Sequence, residues 1–326
     1  MTLMNLRAAV RQCLKEELTR DPHIFLIGED IGPAGGVFKV TEGLVKEFGE
    51  ERIRDTPISE SAIVGCAIGA AVTGMHPCVE IMFSDFTAVC MDLIVNVAAK
   101  LRYMTGGQTN VPLVIRAATG GGISFGAQHS QNLESWFMNV PGLYIAVPSN
   151  AKDAKGLLRT ALRAHDTVLF FEHKKCYNLS DEVPDDENFA IPFGSAEIKR
   201  PGSDVTLVAT MYMVHESLAA AEELAKKGID VEVIDPRTVS PLDKGTILKS
   251  VGKTGRLVTV EENTRSCGWG AEVASIVAEE GLYNLKAPIK RVCNLDAPIP
   301  FSPALERLVI PDKSRIIDAI REVMVV

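Results

Sequence analysis

Short apolar runs alternate with longer amphipathic stretches along most of this chain. Leu6, Val10, Cys13, Leu14 and Leu18 recur at three- and four-residue steps, the spacing of one helix face, and Asp21-Pro22 ends that helix. The run Ile24-Phe25-Leu26-Ile27-Gly28 is too short for a helix and reads as a buried strand. Further strand-like runs lie near 78–83, 111–117, 143–147 and 168–172, with helical stretches near 60–73, 87–103 and 151–164. Strands separated by helices form a parallel sheet covered on both faces. Residues 178–202 break the rhythm. They hold the acidic run Asp181-Glu182-Val183-Pro184-Asp185-Asp186-Glu187 and then Ile191-Pro192-Phe193-Gly194, polar and proline-bearing as a linker is. Beyond it the alternation restarts, with strands expected at 205–209, 231–234 and 257–260 and helices near 214–227, 243–251 and 269–280. The expectation is an α/β fold of two open, mostly parallel sheet domains, 1–177 and 203–326, joined by the linker 178–202. In such sheets ligands bind at the carboxyl ends of the strands, so motifs on those loops matter most.

Composition narrows the function. At 326 residues, with 46% hydrophobic and 23% charged, the chain can build two ordinary soluble cores. Its net charge of -8 argues against nucleic-acid or membrane-surface binding, because an acidic surface repels phosphates and anionic lipid. No apolar run approaches the roughly 20 residues that cross a bilayer. Residues 1–20 mix charge with helical apolar spacing, unlike a signal or transit peptide. The seven cysteines, Cys13, Cys66, Cys78, Cys90, Cys176, Cys267 and Cys293, include no Cys-x-x-Cys pair, which points to a reducing cytoplasm.

Three motifs draw the eye and lack the right context. Gly122-Ile123-Ser124-Phe125-Gly126 matches a nucleophile elbow, but that motif needs a catalytic histidine late in the chain, and the last one here is His215. A serine hydrolase built on Ser124 is therefore the alternative reading. His173 and Cys176 have metal-ligand spacing without a second pair to complete a set. Gly268-Trp269-Gly270 lacks the third glycine of a dinucleotide fingerprint.

Three other segments carry chemistry. Asp55-Thr56-Pro57-Ile58-Ser59-Glu60 joins a short strand to a helix rich in small residues, which let another chain approach closely. Glu60 sits where such a helix starts, either as an acid favoured by the helix dipole or as a desolvated carboxyl that holds its proton. Glu80-Ile81-Met82-Phe83-Ser84-Asp85-Phe86 ends a strand with an aromatic face, suited to stacking on a heteroaromatic ring or to ordinary core packing. Gly120-Gly121-Gly122 leads to Gln128-His129-Ser130-Gln131, a histidine flanked by amides on a glycine loop, able to give or take a proton.

Taken in this order, these segments resemble the β subunits of the E1 components of 2-oxo acid dehydrogenase complexes and of acetoin dehydrogenase. The likeness spans nearly the whole chain. It includes Gly28-Glu29-Asp30, Gly35-Gly36-Val37-Phe38, Ala99-Lys100-Leu101-Arg102-Tyr103-Met104-Thr105-Gly106-Gly107, Asp153-Ala154-Lys155-Gly156-Leu157-Leu158 and Lys253-Thr254-Gly255-Arg256. The resemblance implies a transketolase-like fold and thiamine diphosphate as cofactor. It implies that Glu60 contacts the aminopyrimidine, that Phe86 packs on that ring, that Ile58 and Met82 line its pocket beside Glu29, and that His129 serves at the substrate end.

No Gly-Asp-Gly occurs in the sequence, the motif that holds Mg²⁺ and diphosphate in single-chain relatives. The resemblance therefore implies an α subunit that supplies Mg²⁺, an α2β2 heterotetramer, and a separate lipoyl-bearing E2. Some family members hold K⁺ at a position matching Leu113, Ala161, Leu162 and Asp166, although Ala164 replaces the usual Asp here. Met82 and the stretch Met213-Val214-His215-Glu216-Ser217-Leu218 look closer to acetoin dehydrogenase β than to the pyruvate or branched-chain enzymes. A non-catalytic assembly subunit of the same fold is the remaining alternative.

Overall fold

The structure is a computed structural model that describes residues 1–325. The chain divides into two compact units: Met1–Thr119 with Trp136–Phe193, and Gly120–Ser135 with the residues from Gly194 onward.

In the first unit the strands run, across the sheet, in the order Tyr144–Ala146, Val168–His173, Val114–Thr119, His76–Ile81, Ile24–Gly28, Ile53–Asp55. All these neighbours are parallel. The strands Ile24–Gly28, Val114–Thr119 and Val168–His173 are buried along their whole length, which is why they read as mostly apolar rather than alternating. The opening helix Leu6–Arg20 starts at Asn5, whose side chain accepts from the Ala8 N–H, and packs on the helix Ala151–Leu162. That second helix begins in the same way, with Asn150 accepting from Asp153 N–H at 2.8 Å. Its Lys155 and Arg159 are fully buried, and carboxylates of the first helix balance them: Glu16 lies 3.1 Å from Lys155 and Glu17 lies 3.2 Å from Arg159.

The expected helix near 60–73 is Glu60–Val72. The expected helix near 87–103 is instead three short windings of different pitch, a 3₁₀ turn Ser84–Ala88, a π-helical segment Leu93–Ala98 and an α-turn Leu101–Met104. In the first of these, the Thr87 hydroxyl donates to the Ser84 carbonyl at 2.6 Å, a local bond that competes with regular α-winding.

In the second unit a five-stranded sheet has the order Lys290–Asn294, Leu257–Thr264, Val205–Ala209, Val231–Asp235, Glu197–Arg200. Only the last is antiparallel to its neighbour. Helices Tyr212–Ala225 and Lys313–Met324 pack together, and Val214, Ala221, Ile316 and Ile320 belong to one buried cluster with the strands. Asp243 and Asp312 cap the helices Lys244–Thr254 and Lys313–Met324, accepting from Thr246 and Arg315 N–H.

The segment 178–202 contributes structure to both units. Ser180–Val183 pairs antiparallel with Thr2–Asn5, while Glu197–Arg200 is the edge strand of the second sheet. Residues 120–135 group with the second unit even though the strands on either side of them in sequence belong to the first.

Candidate functional site

The strand order of the first unit reverses at Ile24–Gly28. The chain leaves this strand towards Ile53–Asp55 on one side and returns as His76–Ile81 on the other. A crevice at the carboxyl ends of such a pair is where open α/β sheets bind ligands. Gly28 ends this strand, with Glu80 opposite it on one side and Asp55 on the other. A Cβ at Gly28 would lie 2.7 Å from the Glu80 carbonyl oxygen, so only glycine lets these strand ends close up.

Two hydrogen bonds position the loops beyond these strand ends. Asp55 Oδ1 accepts from Gly32 N–H at 2.6 Å and tethers the loop after the strand Ile24–Gly28. Thr56 N–H donates to the Gly28 carbonyl at 3.0 Å and brings the segment leading to Glu60 alongside. Glu60 then opens the helix Glu60–Val72 in its first turn, partly buried. The adjacent Ser61 hydroxyl donates to the Val89 carbonyl at 2.8 Å, which ties this helix start to the segment after Phe86.

Glu29 is also partly buried. Burial, and then the negative charges of Asp30 and Glu60, hold its pKa above the ordinary carboxylate value. Burial raises the Cys90 thiol to about 12, and the Glu60 carboxylate pushes it the same way.

Met82 and Phe86 come after the strand His76–Ile81 and are partly exposed. Phe86 meets buried Phe83 edge-on at 5.7 Å, and Phe83 meets Phe38 edge-on at 5.8 Å. Phe38 in turn stacks on Tyr177 at 5.1 Å. Ile58 is 74% exposed, a large apolar side chain on the segment that leads into Glu60.

Sequence reasoning assigned no role to the ionic network below this aromatic set. Arg116, 2% exposed, donates to both oxygens of Glu172 at 2.6 and 2.8 Å and to Glu80 at 2.8 Å. Tyr177 adds a hydrogen bond to Glu172 at 3.0 Å. A charged residue in each of three buried strands was the available signal, since buried charges persist only when paired.

His129 lies in the second unit, on the segment Gly120–Ser135. Its N–H points to the Gly126 carbonyl at 3.5 Å. The start of the segment is gripped by carboxylates. Gly121 N–H donates to Glu262 at 3.0 Å, Gly122 N–H to Glu306 at 2.7 Å and Ser124 N–H to Glu306 at 3.0 Å. The end is held by Asn263, which donates to the Asn132 carbonyl and accepts from the Ser135 hydroxyl, both at 2.9 Å. Ser124 has a left-handed φ of 61°, and its hydroxyl faces the Glu306 carboxylate at 3.4 Å. The next helix starts only at Glu134. A hydrolase elbow needs a helix immediately behind its serine, so the Ser124 reading is set aside.

Asp166, from the expected K⁺ position, gives both carboxylate oxygens to Arg102 Nη1, at 2.7 and 2.6 Å. The Leu113 carbonyl accepts from Val168 N–H at 2.8 Å, and that of Ala161 from Ala164 N–H at 3.2 Å. Leu162 is buried at the end of its helix. The one carboxylate of this set is thus engaged by Arg102. Among the described residues, no group of three or more His, Cys, Asp or Glu side chains could hold a metal ion.

Comparisons with known proteins give the family. Residues 3–180 match the transketolase pyrimidine-binding domain, and residues 194–316 match the transketolase C-terminal domain. The chain is 48% identical to the acetoin:2,6-dichlorophenolindophenol oxidoreductase subunit beta of Cupriavidus necator, over 98% of this chain and 97% of that one. It is 45% identical to the 2-oxoisovalerate dehydrogenase subunit beta of Bacillus subtilis, over 99% of each. It is 46% identical to the pyruvate dehydrogenase E1 component subunit beta of Staphylococcus epidermidis, over 98% of each. Among solved structures, the inactive β4 tetramer of a split-gene transketolase superposes with a TM-score of 0.81 at 23% identity, covering 99% of this chain and 98% of that one, a likeness of fold. With both domain models matched in order and full-length identity to three kinds of β subunit, the chain belongs to the transketolase-like family of dehydrogenase E1 β subunits.

Proposed function

We propose that this chain is the cofactor-activating β subunit of a thiamine-diphosphate-dependent E1 dehydrogenase. It acts on acetoin or on a 2-oxo acid such as pyruvate, and passes the acyl group to a lipoyl-bearing E2. The observation that carries this reading is the tethering of the loops at the switch point of the first sheet, Gly32 to Asp55 and Thr56 to Gly28, which draws together the segments that bear Glu29 and Glu60.

When bound, the cofactor supplies the carbon nucleophile and the electron sink. The residues at the switch point fit its pyrimidine half. Glu29, Asp30 and Glu60 crowd negative charge together, and such a site favours a ligand that shares a proton with one of them. Glu60 is the carboxyl that holds and releases a proton at the ring nitrogen, a general acid–base role. Phe86 offers its face to the flat ring, with its orientation set by Phe83, and Ile58 and Met82 line the apolar surround. His129 orients the reacting group at the substrate end or assists transfer to the lipoyl group.

The diphosphate and Mg²⁺ belong to an α partner, since this sequence has no Gly-Asp-Gly. Ser61, Ala62, Cys66 and Gly69 are exposed along the helix that Glu60 opens, and small side chains suit close approach of that partner in an α2β2 heterotetramer. All seven cysteines are free thiols, in keeping with a cytoplasmic protein. No described helix is long and apolar enough to cross a membrane. Met82 and the stretch 213–218 favour acetoin among the substrates.

The test is reconstitution with an α chain that carries Gly-Asp-Gly. Dye reduction is then monitored with acetoin, pyruvate and 3-methyl-2-oxobutanoate, with and without thiamine diphosphate. Cofactor-dependent turnover of one of these, seen only when both chains are present, is the expected result. An assembled complex that reduces dye with none of them would overturn the proposal.

A further inference from the structure

We propose that Glu306 is a positioning residue, whose carboxylate clamps the glycine-rich segment that presents His129. The inference rests on the reading of His129 as an active-site residue.

Gly120-Gly121-Gly122 and Gly126 leave this stretch with little local preference for one shape, so its conformation has to be imposed from outside. Glu306 imposes it. The side chain is 3% exposed on the inward face of the helix Pro303–Val309, alongside buried Val309, while Leu305 and Leu308 face outward. Its two oxygens reach different donors: Oε1 accepts from Gly122 N–H at 2.7 Å and Oε2 from Ser124 N–H at 3.0 Å. Charge-assisted bonds to two backbone amides two residues apart fix both position and orientation of the chain between them. Ser124, at φ 61°, adopts a conformation that a non-glycine residue rarely holds unless its surroundings enforce it.

Two other side chains complete the frame. Glu262 takes the Gly121 N–H, and Asn263 holds residues 132 and 135. His129 thus lies in the middle of a segment fastened at both ends by residues more than a hundred positions away in sequence. The Cβ of a residue replacing Gly121 would lie 2.5 Å from Ile310 Cδ1, so the clamped stretch also packs tightly on the chain just beyond the helix. A catalytic side chain gains its rate from being held in place before the substrate arrives, and Glu306 supplies that hold without touching substrate.

The experiment uses the reconstituted complex with Glu306→Ala, Glu306→Gln, His129→Ala and the Glu306→Ala/His129→Ala double variant. Two quantities are read: hydrogen–deuterium exchange of peptides covering 120–135, and turnover with lipoyl transfer. Glu306→Ala is expected to speed exchange in that segment alone and to lower kcat by about 10- to 100-fold with little change in KM. Glu306→Gln keeps one acceptor and falls between Ala and wild type. In the His129→Ala background, Glu306→Ala adds less than about twofold, because the two residues act as one unit.

Unchanged exchange and turnover in Glu306→Ala would overturn the proposal, as would losses that multiply fully in the double variant. If Glu306→Ala does not assemble, Glu306→Gln decides: wild-type exchange at 120–135 in that variant refutes the clamp. Full activity of His129→Ala refutes the reading of His129 instead, and exchange still judges the clamp.

Discussion

Arg116 reaches from its strand to Glu172 on the neighbouring strand and donates through Nε and Nη2 to both carboxylate oxygens, at 2.6 and 2.8 Å. Its third arm holds Glu80, two residues before Met82, so one guanidinium ties the strands Val114–Thr119 and Val168–His173 to His76–Ile81, which borders the proposed cofactor crevice. Burial raises the Glu80 pKa, and the positive Arg116 works against that rise.

Replacing Arg116 with Met leaves buried Glu172 and partly buried Glu80 without their shared counter-charge. Such a loss typically costs about 3–5 kcal/mol, and urea unfolding of the variant should show a drop of that order. A change below about 1 kcal/mol would show that Glu80 and Glu172 do not depend on Arg116 for their counter-charge.

Glu60→Gln removes the proton-transferring group while preserving its shape. Turnover in the reconstituted complex should fall by at least about 10²- to 10⁴-fold, with the elution volume of the assembly unchanged. Near-normal turnover would remove Glu60 from the proposed role.

Glu134 is fully buried, and burial together with the charges of Glu261 and Glu262 raises its pKa from the ordinary 4.5 to about 8. A raised carboxyl pKa means that the folded state keeps a proton the unfolded chain has released. Its contribution to stability is therefore complete below pH 4.5 and is lost as pH rises towards about 8. Glu134→Gln should lack this slope, and thermal melts at stepped pH should show the wild-type Tm falling relative to the variant across that window. Parallel Tm profiles would show that Glu134 ionises as it does in water.

Gly28→Ala would push a methyl group to 2.7 Å from the Glu80 carbonyl. Strand ends packed this closely give way at a cost of about 1–3 kcal/mol, measurable as a lower Tm. Because the displaced backbone carries Glu29 and leads towards Met82, thiamine-diphosphate affinity should weaken in the same variant. Unaltered Tm and affinity would show that the crevice tolerates movement.

The sequence alone determined the alternation of strand and helix, because a strand buried on both faces is predominantly apolar and a covering helix shows its face every three to four residues. It located the strand Ile24–Gly28 and the helix opened by Glu60, and its ordered motifs carried the family resemblance. Only the tertiary structure decided which distant groups meet. Nothing local in Arg116 names Glu172, and Glu306 lies 182 residues from Ser124, whose N–H it accepts. The assignment of 120–135 to the second unit and the breaking of the expected 87–103 helix were hidden for the same reason. Periodicity reports which face of a segment is buried. The partner against which it is buried is chosen by charge, shape and space, after the chain has folded back on itself.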